Sequence, residues 1–186
     1  MSNFLKAFRN FFLAFLLICS VTACNTSSTA GLEAFQSNDG RYGFFYPTGW
    51  TRVTVSGGPE VVFHDVINSD ETLSLVVSDL DEDVDLEELG GPKTVGQRLI
   101  EQVFSADGAG RQAELLDAQK REFDGHTFYD IEYSIHLPNR DRHELATVVI
   151  DRGSLFTLAA STNENRWPRV KELFGRVITS FNFLYG

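Results

Sequence analysis

The residues whose types could bind or react are four histidines, a run of acids and one cysteine that follows an apolar stretch. His136 and His143 are the pair able to converge. Residues 127–137 alternate through Tyr129, Ile131, Tyr133, Ile135 and Leu137, which predicts a strand carrying Phe128, Asp130, Glu132, Ser134 and His136 on its other face. With residues 138–141 as the turn, His136 falls across from His143, and Ile131, Tyr133 and Ile135 face Val148, Ala146 and Glu144. Two imidazoles on one sheet face, completed by Glu132 or Asp141, suit a divalent metal such as zinc. The alternative is that both serve only the sheet. His64 neighbours Asp65, but adjacent strand residues point to opposite faces and do not readily share an ion. His126 follows the Asp124-Gly125 turn and is expected in solvent.

Asp79 to Glu88 holds seven acids in ten residues, a concentration of hard oxygen ligands that invites a test for calcium. The loop pattern fails. Counting from Asp79 puts Val84 at the required glycine and Gly90 at the bidentate glutamate; counting from Asp81 puts Leu86 and Pro92 there. A solvated acidic loop is the plainer reading. His143-Glu144-Leu145-Ala146-Thr147 is a near miss of a zinc-protease motif, but Thr147 replaces the second histidine and the segment reads as a strand where a helix is required. Nucleophile-elbow, phosphate-loop and dinucleotide glycine patterns are absent from the sequence. These patterns support no enzyme reading.

Cys24 is the third kind of candidate. Lys6 and Arg9 precede an apolar run over residues 11–21, followed by Val21-Thr22-Ala23-Cys24. This is the pattern of an export signal. The run is too short for a spanning helix, which needs about 20 residues. The tetrad resembles a bacterial lipobox, with Val21 where leucine is usual, so residues 1–23 are expected to leave and Cys24 to carry the lipid. Ordinary cleavage after Ala23, with Cys24 unmodified, is the alternative. Each buried CH₂ of an acyl chain contributes about 0.8 kcal/mol, so two or more chains anchor a protein stably.

Removing residues 1–23 takes two basic residues from a chain of net charge −10 and leaves 163 residues at −12. That length suits one domain. The acidity disfavours nucleic acid and anionic lipid as bulk-charge partners. Cys19 leaves with the signal, so the mature chain has no intramolecular disulfide, no thiol catalyst beyond position 24 and no thiolate metal site. Residues 24–139 carry 7 basic and 21 acidic groups, whereas residues 140–186 carry 7 and 5. Such asymmetry could orient the protein on a partner, or the charges could simply be solvated.

The elements that must position these residues are read from periodicity and turns. Residues 24–36 are polar and small and read as a flexible tether, with the domain occupying residues 37–186. Strands are expected over residues 42–46, 51–55, 61–66 and 72–77, separated by turn sequences. Thr94 then caps a helix with Val95, Leu99, Ile100, Val103 and Phe104 on one face, stopped by residues 107–110. Residues 113–123 form a strand, Asp124-Gly125 a hairpin turn, and the two histidine-bearing strands follow. Residues 155–160 are continuously apolar, as in a central strand covered on both sides. Val170, Leu173, Phe174, Val177, Ile178 and Phe181 make the apolar stripe of a last helix that begins near Trp167-Pro168. This order gives an α+β domain with an antiparallel sheet.

Several stretches, in register, resemble the PsbP family of lumenal photosystem II proteins, in its lipidated cyanobacterial branch. They are Gly43-Phe-Phe-Tyr-Pro-Thr-Gly-Trp50, Gly58-Pro-Glu-Val-Val-Phe-His-Asp65, Leu86-Glu-Glu-Leu-Gly-Gly-Pro92, Val95-Gly-Gln-Arg-Leu99 and Arg111-Gln-Ala-Glu-Leu115. Arg142-His-Glu-Leu-Ala146, Gly153-Ser-Leu-Phe-Thr-Leu-Ala-Ala-Ser-Thr162 and Arg166-Trp167 continue the series. The resemblance implies an α-β-α sandwich around a central antiparallel sheet, with the carboxy-terminal amphipathic helix packed on it. It also implies a non-catalytic protein on the lumenal side of the thylakoid membrane, with photosystem II lumenal subunits as partners and a role in assembly or in stability of the oxygen-evolving centre. Calcium comes with the resemblance, although no residue matches a calcium motif, and no cofactor of its own is expected. The other class of function is a membrane-anchored lipoprotein that binds a small ligand or a divalent metal at His136 and His143.

Overall fold

The computed structural model describes residues 29–81, 84–105 and 112–185. The signal and Cys24 lie outside the described residues, as do residues 82 and 83 of the acidic run and the stop at 107–110. The strands are β1 (Leu32–Gln36), β2 (Tyr42–Pro47), β3 (Trp50–Val53), β4 (Val61–Asp65) and β5 (Thr72–Asp79), then helix α1 (Pro92–Ser105). After it come β6 (Gln112–Phe123), β7 (His126–Leu137), β8 (Arg140–Asp151) and β9 (Ser154–Asn163), helix α2 (Trp167–Thr179) and β10 (Asn182–Phe183).

Alternation explains the layers. Seven strands pair antiparallel in the order β3-β4-β5-β9-β8-β7-β6, and a separate small sheet has the order β1-β2-β10. β9 lies at the middle of the large sheet, as its continuous apolar run requires, because both of its faces are covered. On one face Val61, Phe63, Leu73, Leu75, Phe128, Val149, Phe156 and Leu158 meet the small sheet and α2. On the other Tyr129, Ile131, Tyr133, Ile135, Ala146 and Val148 meet Val95 of α1 and Leu86. The result is the expected α-β-α sandwich with the carboxy-terminal helix on the sheet.

The hairpin turns follow local chemistry. Asp124 and Gly125 both take positive φ, 48° and 77°, the geometry whose twist matches flanking strands in a two-residue hairpin. Arg152 and Gly153 repeat it. Pro168 sits in the first turn of α2, where a missing N–H leaves no broken helical bond.

Three expectations change. The tether does not run through Gln36, because Leu32–Gln36 is strand β1, paired along its length with β2. Its composition hid this: Leu32 and Phe35 pack on the core, but the rest of the strand is exposed and gives no alternation to read. The β7–β8 turn is Pro138-Asn139, not four residues, so His136 lies opposite Asp141 and His143 opposite Ser134. Ile131, Tyr133 and Ile135 therefore face Ala146, Glu144 and Arg142. A shift of two residues leaves every side chain on the same face, so the hydrophobic pattern cannot choose between these registers. Finally, α2 ends at Thr179, and Phe181 reaches the core from beyond the helix.

Gly43 marks a close approach in the small sheet. A Cβ there would lie 2.8 Å from the Phe35 carbonyl oxygen and 3.3 Å from a Leu184 methyl. Backbone cannot swing aside as a side-chain tip can, so Gly43→Ala is expected to destabilise by about 1–3 kcal/mol. A urea midpoint unchanged from the parent would contradict that packing.

Candidate functional site

The richest polar cluster sits where β7, β8 and the start of α2 meet. β8 carries His143 on the face shared with Glu132 of β7, and the single helical turn Glu164–Arg166 brings Glu164 over the same point. His143 is only 3% exposed. Its Nε2 lies 2.9 Å from Glu132 Oε1 and its Nδ1 2.9 Å from Glu164 Oε2. The ring stacks on Trp167 at 3.9 Å between centroids and 14° between planes. Each ring nitrogen therefore meets a carboxylate oxygen, which fixes the plane of the imidazole between the two acids. Lys171 Nζ stands 3.7 Å from the other oxygen of Glu132.

A groove of about 230 Å³ opens beside this cluster, with Asp117, Asp130, Glu132, Leu145, Trp167 and Lys171 in its walls. Its acids are already engaged. Arg121 Nε donates to Asp130 at 2.9 Å, Thr147 Oγ1 donates to it at 2.6 Å, and Gln119 donates to Asp117 at 2.8 Å.

The arginines of β8 and the turn before α2 clamp the β4–β5 loop. Glu71, 4% exposed, accepts from Arg166 Nε and, at 3.4 Å, from Thr162 Oγ1. Asp70 accepts from Arg140 at 2.6 Å and Asn163 at 3.1 Å, while Arg142 donates to its backbone carbonyl at 2.9 Å. The Asn163 bond and the two arginines hold the Asp70 carboxyl below its ordinary range.

The opposite face of the same strands has its own network. Tyr133 Oη donates to Glu144 at 2.7 Å, and Ser161 donates to the other oxygen at 2.9 Å. Burial first, and then the charge of Glu144, push the Tyr133 phenol well above its usual range. The sign follows directly. A phenol raised on folding adds stability that is complete below its unfolded value near 10 and is lost as pH rises through the folded value. Unfolding titrations are therefore expected to show weakening above about pH 10, and Tyr133→Phe to shrink that loss. An identical alkaline slope in the variant would remove Tyr133 from the explanation.

The sequence candidates are only partly brought together. His136 and His143 share a face, but His136 is exposed and its Nδ1 lies 3.0 Å from Asp141, whereas both nitrogens of His143 face other carboxylates. Among the described residues no group of three or more histidines, cysteines and acids is placed to hold a metal ion. The described part of the acidic run is occupied in ion pairing and turns: Glu87 pairs with Lys120, and Asp79 accepts from Ser154 at 3.2 Å. His64 and Asp65 diverge as expected, Asp65 accepting from Ile67 N and from Asn68. His126 is not free in solvent. Its Nε2 lies 3.2 Å from Asp151 and its ring 4.6 Å from Phe183, because the carboxy-terminal strand, absent from the sequence reading, folds beside it. Glu164 and Arg166 were missed as partners, since neither lies on a periodic element that would predict its direction.

Over residues 30–183 the chain matches the PsbP family profile. It is 41% identical over 171 residues to CyanoP of Synechocystis sp., covering 90% of this chain and 91% of that protein. With CyanoP of Thermosynechococcus vestitus the identity is 36% over 178 residues, covering 93% and 97%. The solution structure of CyanoP from Synechocystis sp. superposes with a TM-score of 0.73 at 39% identity, over 88% of this chain and 98% of that one. A match that spans β1 to β10 with α1 and α2, joined to the same sandwich in three dimensions, places the chain in the PsbP family.

Proposed function

We propose that this is a non-catalytic extrinsic protein of the thylakoid lumen, held to the membrane at Cys24, that supports assembly or stability of photosystem II and its oxygen-evolving centre. The observation that carries the reading is the family match through residues 30–183, together with the high coverage of the cyanobacterial relatives. The polar clusters fit a structural rather than a catalytic role, because the histidines and acids of the sheet end are joined to one another and to arginines. The anchor would confine the domain to the membrane surface and raise its effective concentration near a membrane partner.

Crosslinking in native thylakoid membranes tests the partner. The expected product joins this chain to a lumenal photosystem II subunit, and crosslinks to unrelated proteins alone would sink the proposal. Cys24→Ser tests the anchor separately: the domain should fold as before and move from the membrane to the soluble fraction. Retention on the membrane after that change would contradict it.

A further inference from the structure

Strand directions place one end of the large sheet next to the entry of the chain. β2 and β4 both run towards it, β9 and β7 end there, and β5 and β8 begin there. The tether enters at the same place, since Thr48 N donates to the Gly31 carbonyl at 3.0 Å just before β3 begins opposite the end of β4. Beyond β4 the loop lifts two apolar side chains into water, Val66 at 64% and Ile67 at 89% exposed.

This loop is tied down by hydrogen bonds and ion pairs. Asp65 accepts from Ile67 N at 2.9 Å and from the Asn68 side chain at 2.7 Å, and Glu71 N donates back to the Asn68 carbonyl at 2.7 Å. Asp70 and Glu71 are clamped by Arg140, Arg142 and Arg166. A loop fixed in this way presents its apolar tip without needing to be ordered on contact. Its acids Asp65, Asp70 and Glu71 are balanced by those three arginines, so the tip has no charge preference for an anionic surface.

The tether's length bounds how far the domain can stand from its anchor. Seven residues from Cys24 to Gly31 reach no further than about 25 Å. From Gly31 through Thr48, Trp50 and Asp65 to Ile67 the path is also within about 25 Å, by chain and strand spacings. We propose that Val66 and Ile67 are a second membrane contact, seating this end of the domain in the interface of an uncharged or zwitterionic lipid bilayer and so fixing the orientation in which the domain faces its partner. The proposal rests on the lipid anchor at Cys24 but not on photosystem II.

The test uses the lipidated chain in phosphatidylcholine vesicles with no other protein. Lipidation consumes the thiol of Cys24, so Ile67→Cys supplies one site for a nitroxide label, and Glu122→Cys supplies a control at the opposite end of the sheet. The ratio of collision with dissolved oxygen to collision with a water-soluble nickel complex is expected to be several-fold higher at position 67 than at position 122. Equal ratios overturn the proposal. A label at 67 shielded only in native thylakoid membranes also overturns it and gives the tip to a protein partner. A chain that lacks acyl mass and does not float with vesicles refutes the anchor, and this proposal with it, while leaving crosslinking to photosystem II as a separate question.

Discussion

Phe181→Ala is expected to lower the unfolding free energy by about 3–5 kcal/mol, among the largest effects of a single substitution in this domain. Phe181 is 1% exposed and lies between the end of α2 and β10. Its ring centroid is 5.8 Å from Tyr42, 5.9 Å from Phe156 and 5.5 Å from Phe183, with Phe44 at 6.3 Å and Phe128 at 6.5 Å. One side chain thus touches the small sheet and two strands of the large one. Truncation removes the transfer energy of the ring and leaves a void among neighbours that are themselves pinned in strands, so collapse can recover little. Phe181→Leu keeps much of the volume and should cost less than half as much. Chemical denaturation gives the total, and amide exchange should rise first in β1 and β2, which depend on this cluster for their attachment. A loss below about 1 kcal/mol would mean that the small sheet is held by something else.

The position of Phe181 also shows how far periodicity carries. Its i+11 spacing from Val170 put it on the stripe of a longer helix, and the burial was right although the helix stops at Thr179. Burial pattern survives a change of backbone because the core selects for apolar volume, whatever brings it there. The same holds for β7 and β8: alternation assigned faces to Tyr133, His136 and His143, and left the register undecided because a two-residue slip is invisible to it. Turn chemistry resolved what alternation could not at Asp124-Gly125, where positive φ at both residues demands a two-residue loop. Pro138-Asn139 offers no comparable signal. The candidate site was legible only in part for the same reason. Glu132 and His143 were placed on one face by period two, whereas Glu164 arrives from a single helical turn after β9 and Glu71 from the loop before the neighbouring strand β5, contacts set by topology.

Arg166→Met is expected to lower the urea midpoint of the domain clearly, and the reason lies in what it leaves behind. Glu71 has a side chain 5% exposed, against 29% for Arg166. Without the guanidinium the carboxylate keeps, among the described residues, the 3.4 Å bond from Thr162 and is too deep to recover its water. The open edge of Arg166 argues for the lower end of the range seen when buried pairs are broken. Glu71→Leu with Arg166→Met removes both charges and keeps apolar volume, so the double variant should regain most of the loss. A double-mutant cycle in urea isolates that coupling, and a value near zero would show that the two charges do not depend on each other. The pair joins the β4–β5 loop to the turn before α2, so its loss should also loosen Val66 and Ile67, seen as faster motion of a nitroxide at position 67 in the Arg166→Met protein. Restoration of slow motion in the double variant would indicate that packing alone can hold the tip. Persistent mobility, with stability regained, would assign to the ion pair the orientation of the loop rather than its cohesion.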